Sequence, residues 1–123
     1  MKVRIFDDAA RASRAVARLI ARQLTLQPAS VLGLPTGRTS VAVYKELVRL
    51  RPDFSRAHTF NLDEFVGLAA QNPRSFHAFM DRHLFCRVNI PVGHVHFLNG
   101  AADERSSNQE APDDPDRSAR LPL

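Results

Sequence analysis

This sequence predicts an α/β fold: a Rossmann-like, mostly parallel sheet in three layers, with helices on both faces. Three observations carry the prediction. Short apolar runs, Ser30-Val31-Leu32-Gly33-Leu34 foremost, lack alternation and have the character of strands buried on both faces. Between them, apolar residues recur every three or four positions, the period of an amphipathic helix. Runs and helices follow one another as β-α-β-α-β-α-β, and parallel strands need such helical crossovers.

Taken in order, Val3 to Phe6 is a short apolar strand candidate. Asp7 or Asp8 offers a cap, and Ala12, Val16, Leu19, Ile20 and Leu24 mark one face of a helix whose other face carries Arg11, Arg14, Arg18 and Arg22. Pro28 closes the connection to the run at 30–34. Pro35 to Ser40 is a turn rich in capping residues, and Val41, Tyr44, Leu47 and Val48 mark a second helix that Pro52 stops. Thr59 to Leu62 is the next strand, ending at Asp63-Glu64. Asn72-Pro73 reads as a cap with proline at the first helical position, followed by Phe76, Phe79, Met80 and Leu84 on one face. Pro91-Val92-Gly93 turns into a last strand at 95–98.

After Gly100 the pattern breaks off. Residues 101–123 hold Asp113-Asp114-Pro115-Asp116, several serines and no aromatic, a composition that cannot bury enough to offset its ordering entropy. Residues 1–100 are therefore expected to fold, and 101–123 to stay disordered as a tail unlike the rest. The fold is read as truncated there.

The composition excludes several classes. With 123 residues, 44% hydrophobic, there is material for one modest core. The single cysteine, Cys86, rules out an internal disulfide framework and reads as a small core residue. No apolar run approaches the ~18 residues of a membrane span, and the amino terminus lacks a signal-like apolar region, so a cytoplasmic location is expected. Residues 1–100 carry 14 Lys and Arg against 7 Asp and Glu, a balance that favours an anionic partner. A phosphorylated metabolite fits that balance as well as nucleic acid does. The arginines, however, are spread along helices without clusters or interleaved aromatics, so nucleic acid is not expected and a solvated helix face is the better reading of them.

Chemistry has two places to sit. In Leu34-Pro35-Thr36-Gly37-Arg38-Thr39-Ser40, a small-residue turn feeds a helix amino terminus, leaving unpaired N–H groups and hydroxyls that suit an anion. It is no Walker A loop: Gly33 to Gly37 is one residue short, and Arg38 stands where lysine belongs. On pattern alone, a phosphate site and an ordinary capped turn are equally good readings. The second place is Asp63-Glu64 at the carboxyl end of a strand, where open α/β sheets bind ligands and a carboxylate can serve as general base. By itself such a pair is more often a solvated turn. His94 and His96 share one strand face, but no third ligand is suggested nearby, so no metal is expected. His77 and Asp81 read as a surface pair one helical turn apart.

Together these segments resemble the amino-terminal half of glucosamine-6-phosphate deaminase, within the glucosamine/galactosamine-6-phosphate isomerase family. The resemblance runs in family order through Val31 to Thr39, Tyr44-Lys45-Glu46-Leu47-Val48, Thr59-Phe60-Asn61-Leu62-Asp63-Glu64-Phe65-Val66-Gly67, and Asn89-Ile90-Pro91 to His96-Phe97-Leu98-Asn99-Gly100. It implies that Thr36, Gly37, Arg38 and Thr39 hold a sugar phosphate. It also implies that Asp63, with Glu64 beside it, forms the catalytic carboxylate pair, Asp63 moving a proton between C2 and C1 of the open-chain amino sugar. The implied enzyme is an aldose–ketose isomerase and deaminase that hydrolyses glucosamine 6-phosphate to fructose 6-phosphate and ammonia, without a cofactor; a homo-oligomer is compatible with it. Two positions depart from the family: that of Arg38 is commonly glycine or serine, and that of Ser40 commonly proline. The family's second half, which supplies a ring-opening histidine, its acidic partners and basic residues that close over the phosphate, has no counterpart here, so impaired catalysis by this chain alone is expected. The alternatives are a 6-phosphogluconolactonase-like hydrolase and a non-catalytic anion-binding fragment. The lactonase usually carries Asp-Glu-Arg after the third strand, whereas Glu64 is followed here by Phe65-Val66-Gly67.

Overall fold

In the computed structural model the described residues are 1–101. The expected disordered tail therefore lies, but for Ala101, outside them. Helix α1 spans Ala9–Leu26, strand β1 Val31–Gly33, α2 Arg38–Leu50, β2 His58–Phe60, α3 Phe76–His83 and β3 Val95–His96, with 3₁₀ turns at Phe85–Arg87 and Val92–His94. The sheet order is β1-β2-β3, all parallel, in a register that sets Leu32 beside Thr59, Gly33 beside Phe60, and Thr59 beside Val95. The parallel α/β class read from the sequence is the observed one.

Local chemistry explains the helix ends. Asp8, extended at φ −148°, accepts from the Arg11 N–H at 2.7 Å and starts α1 as the sequence indicates. Helix α2 ends at Leu50 because Arg51 turns left-handed (φ 52°) and Pro52 cannot continue the helix. Helix α3 begins later than expected. The Asn72 side chain accepts from the Arg74 N–H at 2.9 Å, forming a turn, and Ser75 is the cap, its Oγ accepting from the Ala78 N–H.

Alternation along the strands divides the sheet into two faces. Leu34, Thr59 and Asn61 are buried, and they join Ala17 and Leu24 of α1, Tyr44 and Leu47 of α2, Met80 of α3, Phe54, Ala57, Leu84 and Phe85 in the interior. Val31, Phe60 and Leu62 point the other way and are exposed. Among the described residues the helices thus cover one face. Four expectations need correction. Burial of the strands on both faces, with helices in a layer on either side, is not seen among the described residues, because no described helix packs on the face that carries Val31, Phe60 and Leu62. Val3 to Phe6 forms no strand, because none of the three described strands pairs with it and Val3 and Ile5 stay exposed. Val16 and Leu19, read as facing the core, are exposed, since α1 leans on α2 through Ala17 and Leu24. Cys86 is exposed as well, because the 3₁₀ turn after α3 buries Phe85 instead.

Candidate active site

The turn after β1 is built by side chains from elsewhere. The buried Asn61 donates from Nδ2 to the Leu34 carbonyl at 2.6 Å, tying β1 to the residue after β2. Tyr44, buried in α2, donates its hydroxyl to the Pro35 carbonyl. Burial pushes that phenol up to about 12, against a smaller downward pull from Ser40, so it stays a donor at any physiological pH. Ser40 Oγ donates to the Thr36 carbonyl at 3.4 Å, a long bond. Gly37 precedes α2 at φ 108°, ψ 165°, a conformation nearly confined to glycine, and no side chain caps the helix there. The N–H groups of Thr36, Gly37, Arg38 and Thr39 have no protein partner among the described residues. Gly37, Arg38 and Thr39 are exposed. Four successive free donors at the positive end of a 13-residue helix are suited to an oxyanion.

The adjacent carboxylates, expected together, differ sharply in surroundings. Asp63 is exposed and takes part in no hydrogen bond among the described residues. Glu64 is engaged on both oxygens: Oε1 accepts from the N–H groups of Phe65 and Phe76 at 2.9 Å each, and Oε2 from that of His77 at 3.1 Å. Burial pushes its carboxyl up, but the three backbone donors outweigh this and hold it below the ordinary carboxylate range. Glu64 thus caps the amino terminus of α3 from twelve residues upstream. The following loop is held by Gly100, whose carbonyl accepts from the Gly67 N–H at 2.7 Å. A Cβ at Gly100 would collide with the Phe65 carbonyl and lie 2.8 Å from Glu64 Cγ.

Topology brings the two places together. Both follow the carboxyl ends of neighbouring parallel strands, the Leu34 N–H bonds the Phe60 carbonyl, and the Asn61 N–H bonds the His96 carbonyl at 3.0 Å. Asn61 therefore links all three strand ends. Its Oδ1 is buried without a partner, a cost of about 1–3 kcal/mol that a purely apolar residue would avoid. Sequence reading passed over Asn61 and Tyr44 as site residues; an asparagine ending an apolar strand was the available signal.

The histidines form a group that sequence reading saw only in part. His58 stacks on His94 with ring centroids 4.0 Å apart, and its Nδ1 lies 3.1 Å from His96 Nε2. His94 Nδ1 donates to the Ala57 carbonyl at 3.0 Å. Among the described residues no group of three or more His, Cys, Asp or Glu has metal-holding geometry. His77 lies 3.5 Å from Asp81, the surface pair expected, and also stacks on Phe97.

The fold and this arrangement define an α/β protein of the Rossmann-like class, with a candidate anion turn and a free carboxylate beyond the ends of adjacent parallel strands. No family model matches the chain. It is similar in sequence to glucosamine-6-phosphate deaminases over less than half of their length. It is 41% identical over 107 residues to the glucosamine-6-phosphate deaminase of Clostridium botulinum strain Hall, a match covering 84% of this chain and 44% of that protein. It is 46% identical over 93 residues to glucosamine-6-phosphate deaminase 1 of Giardia intestinalis, covering 72% and 35%. Among solved structures, a monomeric glucosamine-6-phosphate deaminase of the NagB superfamily superposes with TM-score 0.83 at 32% identity, covering 87% of this chain and 46% of that one. A 6-phosphogluconolactonase from Thermotoga maritima shares the fold, with TM-score 0.65 at 21% identity. The chain thus spans less than half the length of these relatives. No described helix is long and apolar enough to cross a membrane.

Proposed function

We propose that this chain carries the phosphate-binding and proton-transfer portion of a glucosamine-6-phosphate deaminase acting in the cytoplasm. The observation that carries the reading is the pairing of four free backbone donors at 36–39 with an unengaged carboxylate, Asp63, at the ends of adjacent parallel strands. The N–H groups and hydroxyls of Thr36 and Thr39 receive the phosphate oxygens of the sugar; Gly37 allows their close approach, and Arg38 adds positive charge. With the phosphate anchored, Asp63 takes the C2 proton of the open-chain amino sugar. The C2–H electrons form the C1=C2 bond and the C1=O π pair moves onto O1, which takes a proton from water, giving the enolamine. Returning the proton to C1 leaves an imine at C2, which water hydrolyses to the ketone and ammonia, the hydrolytic half of the reaction. Glu64, with three backbone donors, is assigned to holding α3 and the loop that bears Asp63. Neither a cofactor nor a metal enters these steps.

The lactonase reading has only the shared fold behind it. The test joins residues 1–100 to the remaining carboxy-terminal part of the Clostridium botulinum relative and measures ammonia release from glucosamine 6-phosphate. Activity in the chimera, reduced by a factor of about 10² to 10⁴ by Asp63→Asn, supports the proposal. Full activity in the Asp63→Asn chimera would show that another group moves the proton. Hydrolysis of 6-phosphogluconolactone in place of deamination would show that the substrate class is wrong.

A further inference from the structure

We infer that Tyr44, Ser40 and Asn61 are positioning residues that aim the phosphate turn, an inference that rests on the phosphate-binding reading above. Three successive carbonyls, those of Leu34, Pro35 and Thr36, are each taken up by a different side chain: Asn61 Nδ2, the Tyr44 hydroxyl and Ser40 Oγ. In a trans peptide the C=O and the following N–H point in opposite directions, and the chain has no cis bonds. Holding the Pro35 carbonyl against the buried Tyr44 therefore sends the Thr36 N–H away from the interior. Holding the Thr36 carbonyl toward Ser40 does the same for the Gly37 N–H. Residue 35 is proline and has no N–H to aim, so the bond from Asn61 to Leu34 serves as the fixed anchor from which the other two planes are set.

The polar ends of the three side chains are all turned to this one segment, while the Tyr44 ring also packs in the core. Tyr44 and Ser40 sit one turn apart on the buried side of α2, whose first turn supplies the remaining free N–H groups of Arg38 and Thr39. Asn61 keeps a buried, unpartnered Oδ1, so what its amide does visibly in the fold is donate to Leu34. Together the three make a rigid mount on which donors are already oriented before an anion arrives. Removing one bond frees a peptide plane to rotate, and the anion must then reorder it.

The test uses the full 123-residue chain, inorganic phosphate as the probe, and amide shifts read residue by residue at a temperature where every variant is folded. Phosphate is expected to shift Thr36, Gly37, Arg38 and Thr39 in the wild type with about millimolar affinity. Tyr44→Phe keeps the buried ring and removes the donor; it is expected to weaken phosphate binding about 3- to 10-fold and to move the free-state shifts of Thr36 and Gly37. Ser40→Ala is expected to weaken it too, and Ser40→Thr, which keeps a hydroxyl, to restore it. A merely structural role would lower the unfolding midpoint while leaving the affinity of the folded molecules unchanged. If Tyr44→Phe does not fold, the Ser40→Ala and Ser40→Thr pair decides. Wild-type binding at 36–39 with unaltered affinity in the folded variants overturns the positioning role alone. Absence of any wild-type shift at 36–39 overturns the phosphate reading, and the positioning role falls with it.

Discussion

Replacing Gly37 by alanine isolates the backbone conformation that opens the phosphate turn. At φ 108° and ψ 165° the residue occupies a region almost closed to L side chains, and holding a non-glycine residue there costs about 1–3 kcal/mol. The Cβ itself meets no atom within 4 Å, so neither collision nor new packing complicates the comparison. Gly33 in β1 supplies the control. Its Cβ also meets nothing within 4 Å, and its φ lies outside the left-handed range. Alanine at Gly33 should gain roughly 0.4–1 kcal/mol by restricting the unfolded chain. The same unfolded-state gain applies at Gly37, so the two variants are expected to differ by the strain alone, about 1–3 kcal/mol in urea unfolding, read as a change in midpoint at equal slope. If the turn relieves its strain by rotating, the stability gap narrows, but the free N–H groups re-aim and phosphate no longer shifts residues 36–39. Equal stability of the two variants together with an undisturbed phosphate response would show that the turn does not need glycine's conformation at 37.

Three further outcomes are expected. Glu64→Gln should destabilise the chain by roughly 1–3 kcal/mol by weakening the cap on α3, measured by chemical unfolding. Because the folded carboxyl lies below its ordinary value of 4.5, the native state holds fewer protons there than the unfolded one, so its contribution is present above that value and lost as pH falls through the folded one; Glu64→Gln should flatten this acid limb. His58 is held below 6.5 by burial first, then by His94 and His96, so stability should be full above 6.5 and decline as pH drops from there, with His58→Gln reducing the slope in a pH series of melts. Asn89→Ala should cost about 1–3 kcal/mol, since Asn89 Oδ1 accepts from the Phe54 N–H at 2.7 Å beside a fully buried ring, and thermal or urea unfolding reads the loss directly.

Elements whose causes are local were legible in the chain before any packing. Asp8 caps its helix through a bond three residues on, Pro52 forbids a longer α2, and the apolar runs around Val31–Gly33 and Thr59–Phe60 suit strands that turn alternate residues, Thr59 among them, to the core. Parallel pairing followed from the helices between them. Asp63 and the turn at 36–39 stood out because polar and small residues interrupt apolar strands where those strands end. Contacts that depend on which strand ends become neighbours emerge only once the sheet has formed. Asn61 reaches the Leu34 carbonyl across 27 positions, and Glu64 caps a helix that starts 12 positions later, though nothing in the neighbouring sequence distinguishes it from Asp63. The same holds for His58, which joins His94 and His96 because β2 pairs with β3. Val3 to Phe6 shows the converse: its composition suits a strand, but a strand exists only through hydrogen bonds to a partner edge, and none of the described strands offers it one.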